Sequence, residues 1–158
     1  DSVTRIGKMA FTASALPRVM IPASVEEIGN WAFGTCLSLT DIEVSPDNEN
    51  YMVLDHALVE TKTKTLICYP CGLTDPEYEI PEGTEVIGPY AFGSCRFLEK
   101  VILPQSLTDI GDYAFYNCEK LTELNSVGKL NYIGFKAFSL CPGLAEEMLP
   151  DAETNNYE

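Results

Sequence analysis

Residues 110–118 read IGDYAFYNC, and the frame I-G-x-x-A-F that opens this stretch recurs five times, at residues 6–11, 28–33, 87–92, 110–115 and 133–138. The starting isoleucines lie 22, 59, 23 and 23 residues apart. A fixed period in the low twenties is the signature of a solenoid, in which each repeat is one short unit stacked on the next. The interval of 59 residues marks an insertion between ordinary repeats.

One full unit, residues 87–109, reads IGPYAFGSCRFLEKVILPQSLTD. Gly88 relieves a tight bend. The segment PYAFGSC is too short for a free-standing helix, so one or two helical turns are expected on the outside of the coil, with Ala91 allowing close approach and Phe92 pointing inward. Val101 and Leu103 alternate with Lys100 and Ile102, as a half-buried strand requires. Pro104 ends the strand. No single unit can cover its own apolar side, so Leu, Phe, Ile and Val of successive rungs must form one continuous core. Each large side chain buried there contributes roughly 1.5–3 kcal/mol.

The phrase I-P-x-S-V-x-x-I-G-x-x-A-F-x-x-C-x-x-L-x-x-V-x-I-P, carried by residues 21–39, 80–104 and 103–121, resembles the BspA-type leucine-rich repeat of bacterial surface proteins. The resemblance covers nearly the whole chain. It implies an α/β-type solenoid, a right-handed leucine-rich repeat coil with short parallel strands on one face and short helical turns on the other. It also accounts for the insertion, since proteins of this type carry a segment of the form N-x-x-Y-x-x-x-D-G-V-L between ordinary repeats. Here His56 replaces the glycine.

Within the insertion, Tyr51–Leu54 is an apolar segment, and residues 57–60 and 65–69 flank the polar run 61–64 as a β-hairpin does. The expected organisation is one domain: repeats over about 1–46 and 78–150, the hairpin insertion over about 47–77, and an acidic tail at 151–158. Residues 143–149 read as a short capping helix, and the tail as mobile. Residues 2–7 match residues 24–29 without the strand that precedes the latter, as expected after removal of a leader or in a piece of a longer array.

Composition narrows the function. With 24 acidic against 10 basic residues and a net charge of −14, the chain repels the phosphates of nucleic acids and anionic membrane surfaces. An acidic surface also favours a soluble monomer. No apolar run approaches the roughly 18 residues of a membrane-spanning helix. A single histidine, His56, leaves only one base for nucleophile activation. The acidic clusters around Asp47 and Asp75 lack the spacing of a calcium loop. Thus no catalytic residue, cofactor or metal site is expected.

Of six cysteines, Cys36, Cys95, Cys118 and Cys141 each follow their isoleucine by eight residues. They mark a rung position, where a reduced, inward-facing thiol acts as a small hydrophobe. Cys68 and Cys71 form one C-x-x-C, too little for a zinc site and lacking the helix of a redox motif.

What remains is surface. Strand alternation turns Arg18, Met20, Asp41, Glu43, Glu77, Glu79, Lys100, Ile102, Glu123 and Asn125 outward on the β-face. Their chemistry varies while their inward neighbours repeat, as expected of a partner-binding face. Because acidic residues dominate, the expected partner is a protein with a basic patch. A second stripe, Trp31, Tyr90 and Tyr113, lies on the outer turns, where rings stack on sugars or pack against neighbouring rungs. The resemblance implies a non-enzymatic protein-interaction or adhesion module, cell-surface or secreted, acting on host matrix or another cell's surface protein. A carbohydrate-binding module using the aromatic stripe and a structural spacer are the alternatives.

Overall fold

The computed structural model describes residues 2–156. The chain coils as a β-solenoid of about 7 turns. Each ordinary rung carries two short strands on opposite sides. Rung 1 contains β1 (Arg5–Ile6) and β2 (Arg18–Ile21), and rung 2 contains β3 (Glu27–Ile28) and β4 (Asp41–Val44). The insertion follows as β5 (Tyr51–Leu54), β6 (Ala57–Glu60) and β7 (Thr65–Cys68). Beyond it lie β8 (Glu77–Glu79), β9 (Val86–Ile87), β10 (Lys100–Ile102), β11 (Asp109–Ile110), β12 (Glu123–Leu124), β13 (Leu130–Ile133) and β14 (Ala152–Asn155).

One side of the coil holds the parallel sheets β2–β4 and β8–β10–β12. The other holds β1–β3 and a seven-stranded sheet ordered β14–β13–β11–β9–β7–β6–β5. Among the described residues only the β5–β6 and β6–β7 pairings are antiparallel. The hairpin therefore lies where the polar run 61–64 placed it, and its last strand, β7, serves as an ordinary rung strand by pairing in parallel with β9.

The core is built of columns. Ile87, Ile110 and Ile133 pair rung to rung and are fully buried. The phenylalanines stack behind them: Phe92 on Phe115 at 4.8 Å, and Phe115 on Phe138 at 5.3 Å, both nearly parallel. Tyr69 extends this stack at 5.3 Å from Phe92. Phe11 and Phe33 form a separate pair at 5.5 Å. The break falls at the insertion, where the hairpin separates two clusters. Leu58 and Cys68 join the core of the first two rungs, whereas Ala57 and Leu66 join the larger core beyond.

The helical turns expected on the outer side are absent. Among the described residues the one helical element is a single 3₁₀ turn at Glu146–Met148, so the coil is all-β and not α/β. The physical reason lies in the hydrogen bonds. Ala91, Gly93 and Cys95 N–H donate three residues back to Gly88, Tyr90 and Phe92 O, whereas Tyr90, Phe92 and Ser94 N–H donate forward to Asp112, Ala114 and Tyr116 O of the next rung, respectively. Beyond its first four residues a helix spends each successive N–H internally, so it could not alternate inward and outward donors along the segment. Left-handed residues enforce the pattern at the same two places of each repeat: Trp31 and Thr35 (φ 64° and 53°), Tyr90 and Ser94 (61° and 65°), Tyr113 and Asn117 (56° and 58°). Such φ values cost a non-glycine residue about 1–2 kcal/mol, and the inter-rung ladder holds them in place.

Two further expectations are corrected. The segment after residue 150 is a strand, not a loose tail: Ala152, Thr154 and Asn155 pair with Leu130, Tyr132 and Ile133. The exposed edge of β13 needs a backbone partner, and acidic side chains on a solvent-facing strand do not prevent pairing. Residues 157 and 158 of the expected tail lie outside the described residues. Nor is Cys95 a free thiol, for it is bridged to Cys71 with Cα atoms 4.5 Å apart. The column argument assumed in-phase, parallel Cβ vectors. Cys71 escapes it because it lies five residues after Leu66, whereas Cys95 lies eight after the paired Ile87. Cys36, Cys68, Cys118 and Cys141 are free and buried.

Candidate functional site

The β-face is divided. Arg18 and Met20 on β2 lie in register with Asp41 and Glu43 on β4. Glu77, Lys100 and Glu123 form one row across β8–β10–β12, and Glu79 and Ile102 form part of the next. No ladder joins β4 to β8 among the described residues. The ten outward positions therefore form two patches instead of one continuous face.

The registers explain how so acidic a face is tolerated. Arg18 Nε lies 2.8 Å from Asp41, and its Nη1 is 4.0 Å from Glu43. Lys100 Nζ lies 3.7 Å from Glu77. Both bases on the face thus have acidic partners, while among the described residues Glu79 and Glu123 have no ion pair. Exposed pairs of this kind contribute about 0–1 kcal/mol each, so they organise the surface more than they stabilise it. Asn125 behaves differently from the other nine. Its amide accepts from Leu103 N–H at 2.6 Å and donates to Leu103 O at 3.0 Å, extending the ladder where β12 has ended. It is a structural link, not an available contact.

The structure adds a feature that alternation could not reveal. Where β5 runs past β4, an open groove of 540 Å³ reaches from β2 across β4 to β5, lined by Met20, Glu43, Val44, Ser45, Met52 and Val53. Met20 and Met52 are 57% and 40% exposed, large values for such side chains. Asn48 fixes the turn that leads into β5, its amide donating to Pro22 O at 2.8 Å and Val25 O at 3.1 Å. Its carbonyl accepts from the N–H groups of Asn50 and Tyr51, both at 2.9 Å. Residue Met52 carried a readable signal, since it is the outward member of an alternating strand. That this strand passes beside β4 depends on the turn at Asn48.

The aromatic stripe is packed on itself. Trp31 meets Tyr90 at 5.1 Å and Tyr113 at 5.8 Å, and Tyr90 stacks on Tyr113 at 5.1 Å. Gly93 makes room, because a Cβ there would come within 2.4 Å of the Tyr90 ring. Lys8 Nζ lies over the Trp31 ring at 4.9 Å. All three rings are half-buried, in keeping with packing against neighbouring turns. Elsewhere, His56 stands exposed in the β5–β6 turn, and no group of three or more His, Cys, Asp or Glu converges on a metal position among the described residues. No helix among those residues is long and apolar enough to cross a membrane.

The model of the BspA type leucine rich repeat region matches residues 1–53 and 61–157, in 6 copies. The chain belongs to the BspA-type leucine-rich repeat family. As a BspA-type repeat chain it superposes on a leucine-rich repeat protein from Eubacterium ventriosum with a TM-score of 0.87 at 29% identity, over 98% of this chain and 41% of that one. A leucine rich cell surface protein from Faecalibacterium prausnitzii gives 0.58 at 27% identity, over 99% of this chain and 52% of that one. The T. pallidum leucine rich repeat protein gives 0.55 at 25%, over 92% and 73%. This BspA-type chain thus spans about two-fifths of the first of these solved proteins. No curated protein sequence matches it.

Proposed function

We propose that the chain is a non-enzymatic protein-interaction module of a bacterial cell-surface or secreted protein, and that its partner is a protein offering a basic, extended segment. The observation that carries this reading is the groove beside β4, where two exposed methionines lie next to Glu43 on an unpaired strand edge. An open edge accepts a further strand through its backbone, with side-chain pockets supplying selectivity. The methionines give an adaptable apolar floor. Acidic residues on both patches favour a basic occupant. The family membership and the surface-protein neighbour support the setting.

Size sets the strength. The two strands of one patch and the three of the other, at about 4.8 Å spacing with three or four residues at about 3.3 Å each, give roughly 300 Å² between them, against about 800 Å² per partner in a standard interface. A single module therefore binds in the micromolar range or weaker, and firm attachment comes from further repeats or many copies acting by avidity.

The test is a titration of the monomeric chain and a Glu43→Lys, Glu79→Lys variant with a lysine-rich extended decapeptide at low and high salt. Weak binding that falls with salt and falls at least about tenfold in the variant is expected, as electrostatic screening shortens to about 8 Å at physiological salt. Nanomolar, salt-independent binding that the variant leaves untouched, or no binding at low salt, overturns the reading.

A further inference from the structure

Cys118 and Cys141 occupy the same place in adjacent rungs, each eight residues beyond the paired Ile110 and Ile133. The rungs stay locked up to the pair, since Asn117 N–H donates to Ser139 O at 2.8 Å. Cys141 Sγ lies 3.0 Å from Phe115 O, a carbonyl of the rung that carries Cys118. Its thiol therefore reaches back across the rung boundary. The two environments differ. Cys118 is 0% exposed, whereas Cys141 is 8% exposed and lines an open groove with Asn117, Glu119, Leu140 and Pro142. Both thiols are buried, but only Cys141 borders the groove.

The electrostatics match that asymmetry. Interaction with Cys118 holds the Cys141 thiol below its ordinary value, and the same interaction together with burial pushes Cys118 up, while each thiol donates to a backbone carbonyl, Cys118 to Phe92 O at 3.1 Å and Cys141 to Phe115 O at 3.0 Å. The thiolate is the nucleophile in exchange, so Cys141 is the better attacking group on both accessibility and charge.

We propose that Cys141 and Cys118 are a redox-responsive pair, with Cys141 attacking and Cys118 resolving, that forms a second rung-to-rung disulfide by exchange with a small-molecule disulfide of the glutathione class. Cys141 gives its proton to water, and its thiolate attacks one sulfur of the small disulfide. The S–S bond breaks and one small thiolate leaves. Cys118 then loses its proton and attacks Cys141 Sγ, expelling the second small thiolate. Two protein thiols are oxidised and one small disulfide is reduced to two thiols, so electrons and protons balance without a further reagent.

Cys71–Cys95, an out-of-phase pair, shows that the spacing between neighbouring rungs admits a bridge, with Cα atoms 4.5 Å apart. In-phase rungs stand about 4.8 Å apart, inside the Cα range of a disulfide, although the Cβ atoms must close by a few tenths of an ångström.

The experiment exposes the whole chain to a glutathione buffer oxidising enough to keep Cys71–Cys95 intact. Intact mass should fall by the two hydrogens of one further disulfide, and peptide mapping should place it at Cys118–Cys141. Cys118→Ser should instead retain one glutathione on Cys141, and Cys141→Ser should show neither change, with melting curves confirming that both variants fold. Should either variant unfold, timed iodoacetamide labelling of the reduced wild-type chain decides, because Cys141 must label before Cys118. No further bridge, a bridge at another pair, an unmodified Cys118→Ser chain or simultaneous labelling overturns the proposal.

Discussion

The N–H of Ile28 donates to the Tyr51 hydroxyl at 2.8 Å, so a side chain of the insertion takes up a backbone donor at the edge of β3 where the next rung's strand is missing. Tyr51 is 2% exposed, and water has little access to replace it. Tyr51→Phe should therefore leave a buried donor unpaired and cost about 1–3 kcal/mol. The check is urea unfolding, in which the midpoint should fall without a change of slope. An unchanged midpoint would mean that the ladder ends at β3 without need of the hydroxyl.

The phenylalanine column gives a contrast between sequence neighbours. Phe115 is fully buried between Phe92 and Phe138, whereas Tyr116 is half-buried against Tyr90 and Tyr113 on the outer turn. Phe115→Ala should cost about 3–5 kcal/mol through the cavity it leaves, and Tyr116→Ala much less. Equal losses on thermal unfolding would contradict the stacked-column core.

The Cys71–Cys95 bridge closes a separation of 24 residues. Removing it releases unfolded-state entropy worth about 3 kcal/mol. A Cys71→Ser, Cys95→Ser variant should melt at a correspondingly lower temperature and no longer respond to mild reductant. A wild-type melting temperature indifferent to reductant would show that the bridge adds no stability.

His56 sits at φ 70° beside Asp55 at φ 42°, in the two central positions of the β5–β6 turn. Two left-handed residues in succession define the hairpin turn that favours glycine. His56→Gly should stabilise the fold by about 0.5–1 kcal/mol, the relief of left-handed strain less glycine's added flexibility. A destabilised variant would point to a contact of the imidazole.

Alkali should unfold the chain early. Burial pushes the Tyr69 phenol from 10.0 to about 12, and raises Tyr78 further, also through burial. The folded state keeps these protons while the unfolded state loses them, so stability is full below pH 10.0 and falls as pH rises toward about 12. Tyr69→Phe should flatten that decline. A parallel decline in wild type and variant would place the alkaline transition on other groups.

The repeat frame was legible because each rung needs the same residues for the same reasons: isoleucine for the buried strand column, phenylalanine for the stack behind it, and small residues where rungs approach. Residues 57–60 and 65–69 were legible as a hairpin because a polar run separates two apolar strands, and the second strand ends at Cys68. The outer turns were misread because Ala91 and Phe92 occur as readily in helix as in turns, and nothing local distinguishes them. Only the neighbouring rung, by taking the Tyr90, Phe92 and Ser94 donors, decided against helix.

For the candidate site, strand alternation determined which side chains face outward, since that depends on residue spacing alone. Whether they form one surface did not follow, because the insertion interrupts hydrogen bonding between β4 and β8 over long range. The partner of Cys95 was likewise a tertiary outcome, set by how many residues Cys71 lies beyond a paired strand. The chain alone determined its repeat, its family and its outward face, because these rest on period and alternation. Tertiary structure decided the all-β turns, the disulfide and the groove beside β4, because each depends on what the next rung offers.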